Sequence, residues 1–205
     1  MRLDADGSQI VSMKSQPDPS TKRRLPPGQS LTRRFPVLHE GKPLVFDPST
    51  WRLRVHGLVD KALELGWEEF SRLPKKTTLS DFHCVTSWSR LDNEWMGVPL
   101  ASLAEMVGVR TDAAFVRFAD HQGYDTSIPI EVALEEDVLL ATHHDGEPLS
   151  PEHGGPLRVV VPRLYAWKAC KWVVEIEWMA EDRLGYWEQR GYHNEADPWK
   201  EQRFS

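Results

Sequence analysis

The 205-residue chain is poor in cysteine, lacks a long apolar run and has no surplus of positive charge, and each shortage removes a class of protein. Two cysteines, Cys84 and Cys170, cannot build a disulfide framework. One bridge between them is the most the sequence allows, and spacing alone does not establish the geometry it needs. No stretch approaches the ~20 apolar residues that span a bilayer. Lys22, Arg23 and Arg24 precede no apolar segment, so they do not head a secretory signal; Arg23-Arg24 and Arg33-Arg34 fail as twin-arginine signals for the same reason. The expected compartment is therefore the cytoplasm. With 25 basic against 31 acidic residues the formal charge is −6, the wrong sign for general nucleic-acid binding. The sequence contains no Gly-x-Gly-x-x-Gly or phosphate-loop motif, which argues against a nucleotide site. No Cys-x-x-Cys-His occurs either, so any haem partner would be another protein.

What the chain does have is proline, 15 residues of it, and nine tryptophans. The prolines imply short elements and many loops. The tryptophans suit a core, with a few left over to wall a ligand pocket. Residues 1–24 are polar and aperiodic and are expected to be disordered, leaving one domain over residues 25–205. Alternation predicts strands at Arg52–Val59 and Ala114–Ala119; strands are also expected at Thr77–Phe82 and Asp137–Thr142, and Leu157–Val161 is an apolar run ended by Pro162. The clearest is the run Trp172, Val174, Ile176 and Trp178, with Lys171, Glu175 and Glu177 on the other face. Helical spacing predicts a short helix at Trp67–Leu73, stopped by Pro74, and another opened by Pro99 and closed by Gly108. The fold class is α+β, mostly β with short helices.

Two stretches could carry chemistry. Cys84 stands where a strand gives way to a polar loop containing Trp88, a place where a side chain is held rigidly yet faces a cavity. A thiolate there suits a soft or redox-active metal, and His83 and Arg90 could lower its pKa. A buried structural thiol is the alternative. Second, His153-Gly154-Gly155-Pro156 feeds a strand, and a Gly-Gly-Pro turn lets backbone N–H groups approach an anion. Residues 158–171 then carry Arg158, Arg163, Lys168 and Lys171 and no acid, a local inversion of charge that suits a phosphate-bearing ligand or simply a solvated basic face. His143, His144, His153 and His193 have no zinc-ligand spacing, and the first two should point to opposite faces of a strand.

The ordered blocks Phe82-His83-Cys84-Val85-Thr86-Ser87-Trp88-Ser89, Trp95-Met96-Gly97-Val98-Pro99-Leu100, Gly146-Glu147-Pro148-Leu149, His153-Gly154-Gly155-Pro156-Leu157-Arg158 and Lys168-Ala169-Cys170-Lys171-Trp172 resemble the sulfite oxidase-like molybdopterin-binding oxidoreductases, over roughly residues 30–205. The short bacterial members without a haem domain are the nearest in pattern, and the catalytic subunits of methionine sulfoxide reductases are more distant. The resemblance implies a sulfite-oxidase-type fold, a molybdenum–molybdopterin cofactor and two-electron oxygen-atom transfer to or from a small, sulfur-containing substrate. It implies Cys84 as the metal ligand and His153, Arg158, Ala169, Cys170 and Lys171 as cofactor contacts, with backbone N–H groups of 169–171 and the Lys171 ammonium on the pterin phosphate. Histidine at 153 and alanine at 169 replace an asparagine and a glycine of the methionine sulfoxide reductase branch. A threonine contact of that branch falls near Asp120 and is not carried over. Further contacts are expected within Phe35–His39. Substrate-side candidates are His83, Trp88, Arg90 and Tyr124. The expected partners are the small-molecule substrate and a separate electron-transfer protein, with no nucleic acid and no membrane span. A monomer is expected, because nothing long enough for a dimerisation domain follows residue 182. The rival readings are a non-redox pterin-binding carrier and a zinc hydrolase.

Overall fold

The computed structural model describes residues 19–205. Most of the segment expected to be disordered, residues 1–18, lies outside the described residues. Its last six do have structure: a one-turn helix α1 spans Pro19–Lys22, and Arg24 forms ion pairs with Asp81 and, at 2.6 Å, with Asp92. The other helices are also short: α2 Trp67–Ser71, α3 Leu100–Val107 and α4 Ile130–Ala133. Among the described residues eleven strands carry the fold: β1 Ser30–Leu31, β2 Arg52–Gly57, β3 Leu63–Gly66, β4 Lys76–Cys84, β5 Trp88–Pro99, β6 Phe115–Ala119, β7 Asp125–Pro129, β8 Leu139–His144, β9 Glu147–Pro148, β10 Arg158–Val160 and β11 Glu175–Met179. The expectation of a mostly-β α+β domain with short helices holds.

Two sheets form. One runs β1-β5-β8-β10, with β4 also paired to β5 and β9 to β8; the other runs β3-β2-β11-β6-β7, with β11 parallel to β2. Alternation explains which face each strand buries. Leu53 and Val55 of β2 are fully buried while Arg52 and Arg54 are exposed, and Ile176 and Trp178 of β11 pack into the same core. α3 adds Leu100, Leu103 and Val107, and Gly108 ends it at φ +63°, a left-handed position that glycine adopts without a Cβ penalty. Pro99 caps α3 rather than forming its first residue. A second, smaller cluster of Phe82, Trp95, Leu139, Ala141, Leu149, Val160 and Ala169 sits beside Phe35 and Trp88.

Two expectations are corrected. The strand read from Trp172 begins only at Glu175: Trp172 has φ +53° and its indole donates to Pro151 O at 2.7 Å, so it is turned off the ladder. Val173 is buried as well, which breaks the period of two. The loop after Cys84 is only three residues long, and Trp88 opens the twelve-residue β5, whose polar stretch Ser89–Glu94 hid it from pattern reading.

β5 crosses β8 at a register shift between Met96 and Gly97. A Cβ on Gly97 would lie 2.2 Å from Leu140 O and 2.6 Å from Ala141 Cα, both rigid backbone atoms. Gly97→Ala is expected to cost about 3 kcal/mol as overpacking. In a domain of this size the melting temperature should drop by about 6–12 °C in calorimetry; an unchanged value would show that β5 can move off β8 freely.

Candidate active site

β4 and β5 are joined by a tight turn, and Cys84 is the last residue before it. Its carbonyl accepts from Ser87 N–H and from Gln29 Nε2, both at 3.1 Å, so the backbone under the thiol is fixed from two sides. Arg203, near the C-terminus, donates to Val85 O at 2.6 Å and holds the turn from a third. The thiol lines a cavity of about 330 Å³ and lies 3.1 Å from Thr86 Oγ1. Trp167, Trp187 and Tyr192, in ring contact with one another, also line the cavity, as does Trp88, which packs on Phe35 and Phe82.

At one side of the cavity lie two cations that have no acidic ion-pair partner among the described residues. Arg158 is 1% exposed; Nη1 donates to His153 O at 2.9 Å, Nη2 to Ala169 O at 3.4 Å, and Nε is buried with no partner. Its guanidinium sits among the rings of Phe82, Trp95 and Phe35, 5.2, 5.5 and 5.8 Å from their centroids. Burial lowers its pKa to about 10. Lys171 Nζ donates to Glu152 O at 2.6 Å and Leu38 O at 2.8 Å, and burial, then the neighbouring Arg158, bring it down to about 7. Lys171 is half-buried, and a fully buried cation such as Arg158 is strongly unfavourable unless an anion joins it. A soft thiol at one side and two uncompensated cations at the other fit an anionic, metal-bearing organic group of the dithiolene and phosphate type.

The glycine turn works differently from expectation. Gly154 N–H and Gly155 N–H are used by Pro151 O and Ser150 O, so they are not offered to an anion. A Cβ on Gly154 would meet Lys171 Cγ at 2.9 Å and Arg158 Cβ at 3.2 Å; the glycine is there so that both cations can pack against the turn. Of the four cations in 158–171, only Arg158 and Lys171 reach the cavity. Arg163 pairs with Glu135 at the surface and Lys168 with the buried Glu188.

Among the expected contacts, Cys84, His153, Arg158, Ala169 and Lys171 line the cavity. Cys170 does not: its side chain is fully buried, donates to Lys171 O at 3.5 Å, and burial pushes the thiol well above its usual pKa. Ala169 N–H is taken by Ala166 O. The His153 ring stacks on Phe35 at 4.5 Å, donates from Nε2 to Phe35 O, and has Ser150 Oγ 3.0 Å from Nδ1; burial lowers its pKa, which favours the neutral ring. Both cysteines are free thiols. Of the substrate-side candidates, Trp88 and Tyr124 face the cavity. His83 is buried against Ser89, and Arg90 turns to His144 and Asp145, so neither acts on Cys84 as expected. His143 and His144 diverge, to Thr142 and to Arg90, as a strand requires. Asp120 lines the cavity but its carboxylate accepts from Gln122 and Tyr124 N–H.

The segment Phe35–His39 does contribute: Phe35, Pro36, Leu38 and His39, and Glu40 just beyond, line the cavity. Trp172 stood in one of the blocks that carry the resemblance, whereas Trp167, Trp187 and Tyr192 were not singled out by motif, and the only signal for the two tryptophans was the excess of that residue.

A family model described as the oxidoreductase molybdopterin binding domain matches residues 39–187. An uncharacterized oxidoreductase of Bacillus subtilis (strain 168) is 46% identical over 183 residues, covering 89% of this chain and 92% of that protein. A putative protein-methionine-sulfoxide reductase subunit of Azospira oryzae is 30% identical over 179 residues, covering 86% of this chain and 68% of that one. Among solved structures, the sulfane dehydrogenase SoxCD of Paracoccus pantotrophus matches with a TM-score of 0.62 at 22% identity, over 85% of this chain and 56% of that one; it shares the fold.

Proposed function

This chain belongs to the molybdopterin-binding oxidoreductase family, and from there we propose that it transfers an oxygen atom, with two electrons, to or from a small sulfur-containing substrate, with Cys84 as the protein ligand to molybdenum. The family's cofactor is molybdenum held by molybdopterin, which supplies the two-electron couple and the oxygen chemistry. The chain supplies ligation, orientation and a cavity walled largely by aromatic side chains.

The observation that carries the reading is the position of Cys84 on the lining of the cavity that also holds Arg158 and Lys171, neither of which is ion-paired to an acid among the described residues. In this reading Cys84 ligates as the thiolate, and the Thr86 hydroxyl donates to its sulfur and tunes how much electron density it gives. Arg158 and Lys171 neutralise the anionic pterin and its phosphate. His153 and Phe35, stacked, close the side of the cavity where these cations lie. Trp88, Trp167, Trp187 and Tyr192 contact the apolar flank of the substrate and exclude water. Tyr124 anchors this wall, since its hydroxyl donates to Trp167 O. Electrons pass to or from a separate protein. Among the described residues no helix is long and apolar enough to cross a membrane.

The test is to produce the full chain in a host that makes the cofactor and to measure molybdenum content and turnover on sulfite and on methionine sulfoxide. The expected result is close to one molybdenum per chain and turnover of at least one of the two. Molybdenum without any redox turnover would favour the carrier reading. Its absence, with zinc in its place, would overturn both.

A further inference from the structure

The side chain with the most elaborate polar surroundings away from the cofactor contacts is Glu188. It lies on the 3-10 turn Glu188–Arg190, and its side chain is 1% exposed. One carboxylate oxygen accepts from Lys168 Nζ at 2.6 Å, from Thr126 Oγ1 at 3.0 Å and from Trp167 Nε1 at 3.1 Å; the other is buried with no partner. Lys168 is equally buried, and its ammonium also donates to Ser127 O at 2.9 Å. Burial pulls the lysine pKa down and Glu188 opposes that shift.

The pair joins two parts of the cavity wall. Lys168 ends the 3-10 turn Ala166–Lys168, which presents Ala166 and Trp167 to the cavity. Glu188 directly follows Trp187 and precedes Tyr192 by four residues, and both aromatics face the same space. Tyr192 stacks on Trp187 at 4.8 Å and meets Trp167 edge-on at 5.1 Å. The segment also fits closely against β7: a Cβ on Gly185 would fall 2.4 Å from Asp125 O. Stability alone does not call for ions here, because a buried pair is commonly no more stabilising than apolar residues of the same volume. A fixed geometry is the better reason for one, since a charge with three donors has a single satisfactory arrangement.

Resting on the proposed reading of the cavity, we propose that Glu188, through Lys168, Thr126 and Trp167, is the positioning residue that sets the register of the Trp167–Trp187–Tyr192 wall against which substrate binds.

The experiment compares full-length, molybdenum-loaded Glu188→Gln, Lys168→Met and the double variant with the unaltered protein. Each single variant leaves one buried polar partner mismatched. It should raise KM about tenfold for whichever of sulfite and methionine sulfoxide the unaltered protein turns over, keep kcat per bound molybdenum within about threefold, and reduce the near-ultraviolet circular dichroism of the stacked rings. The double variant is neutral on both sides and should return KM and the aromatic spectrum most of the way. Should the single variants fail to fold, Thr126→Val removes one donor only and should raise KM two- to threefold. A lowered melting temperature with KM and aromatic spectrum unchanged would overturn the proposal, as would a double variant no better than the singles. If the unaltered protein holds no molybdenum or does not turn over, the cavity reading fails, and the aromatic spectra alone decide whether Glu188 sets the wall.

Discussion

Cys84→Ser is expected to lower turnover at least a hundredfold, while Cys170→Ser stays within about twofold of the unaltered protein. The two thiols are chemically alike and differ in surroundings. Cys84 ends β4 with its carbonyl pinned by Ser87 and Gln29, lines the cavity, and has Thr86 Oγ1 at 3.1 Å. Cys170 is fully buried off the cavity, where burial pushes its pKa well up and keeps it protonated. Serine keeps the size of the side chain but swaps a soft, readily ionised donor for a hard hydroxyl that stays protonated near neutral pH. Changes in the layer behind a metal ligand alone cost about 10–100-fold, so loss of the ligand itself should exceed that range. Kinetics per bound molybdenum, with circular dichroism as a folding control, measures it. Full activity in Cys84→Ser would remove the assigned ligand, and loss of activity in Cys170→Ser would show that the buried thiol has a part.

How far such a contrast could be read before the structure depends on sequence distance. Cys84 was legible because strand, thiol and turn are consecutive and lie within a block that resembles a known family. β2, α2, α3 and β6 were legible from local period, within a residue or two at their ends. The wall of the cavity was not. Trp167, Trp187 and Tyr192 lie 83 to 108 residues beyond Cys84 and each was one aromatic among many, whereas Phe35 fell in a segment expected to contribute. The basic run 158–171 was seen as one feature, but the backbone divides it: Arg158 and Lys171 meet across a bridge at the cavity, while Lys168 points back to Glu188. Trp172 misled because its indole satisfies the alternation while its backbone has already left the strand.

The second large effect concerns that divided run. Arg158→Met is expected to cut molybdenum content at least tenfold, equivalent to about 1.4 kcal/mol or more of cofactor binding. The melting temperature of the metal-free chain should stay within a few degrees. The two outcomes differ because Arg158 is a buried cation with no acid beside it. Removing it relieves a desolvation cost and gives up hydrogen bonds to His153 O and Ala169 O, opposing changes of similar size. Only the cofactor-loaded state loses an ion pair outright. Lys171 adds a pH signature. Its ammonium, lowered to about 7, is charged below that value and largely neutral above it. An anion prefers the charged form, so cofactor capture by the metal-free chain should weaken as pH rises from 6 to 8.5, and Lys171→Met should flatten that slope. Once bound, the anion itself raises the lysine pKa, so retention should depend on pH far less than capture does. Metal analysis after loading at each pH checks both. Full molybdenum in Arg158→Met would end the anion-clamp reading, and a metal-free variant that unfolds would make the arginine a structural residue instead.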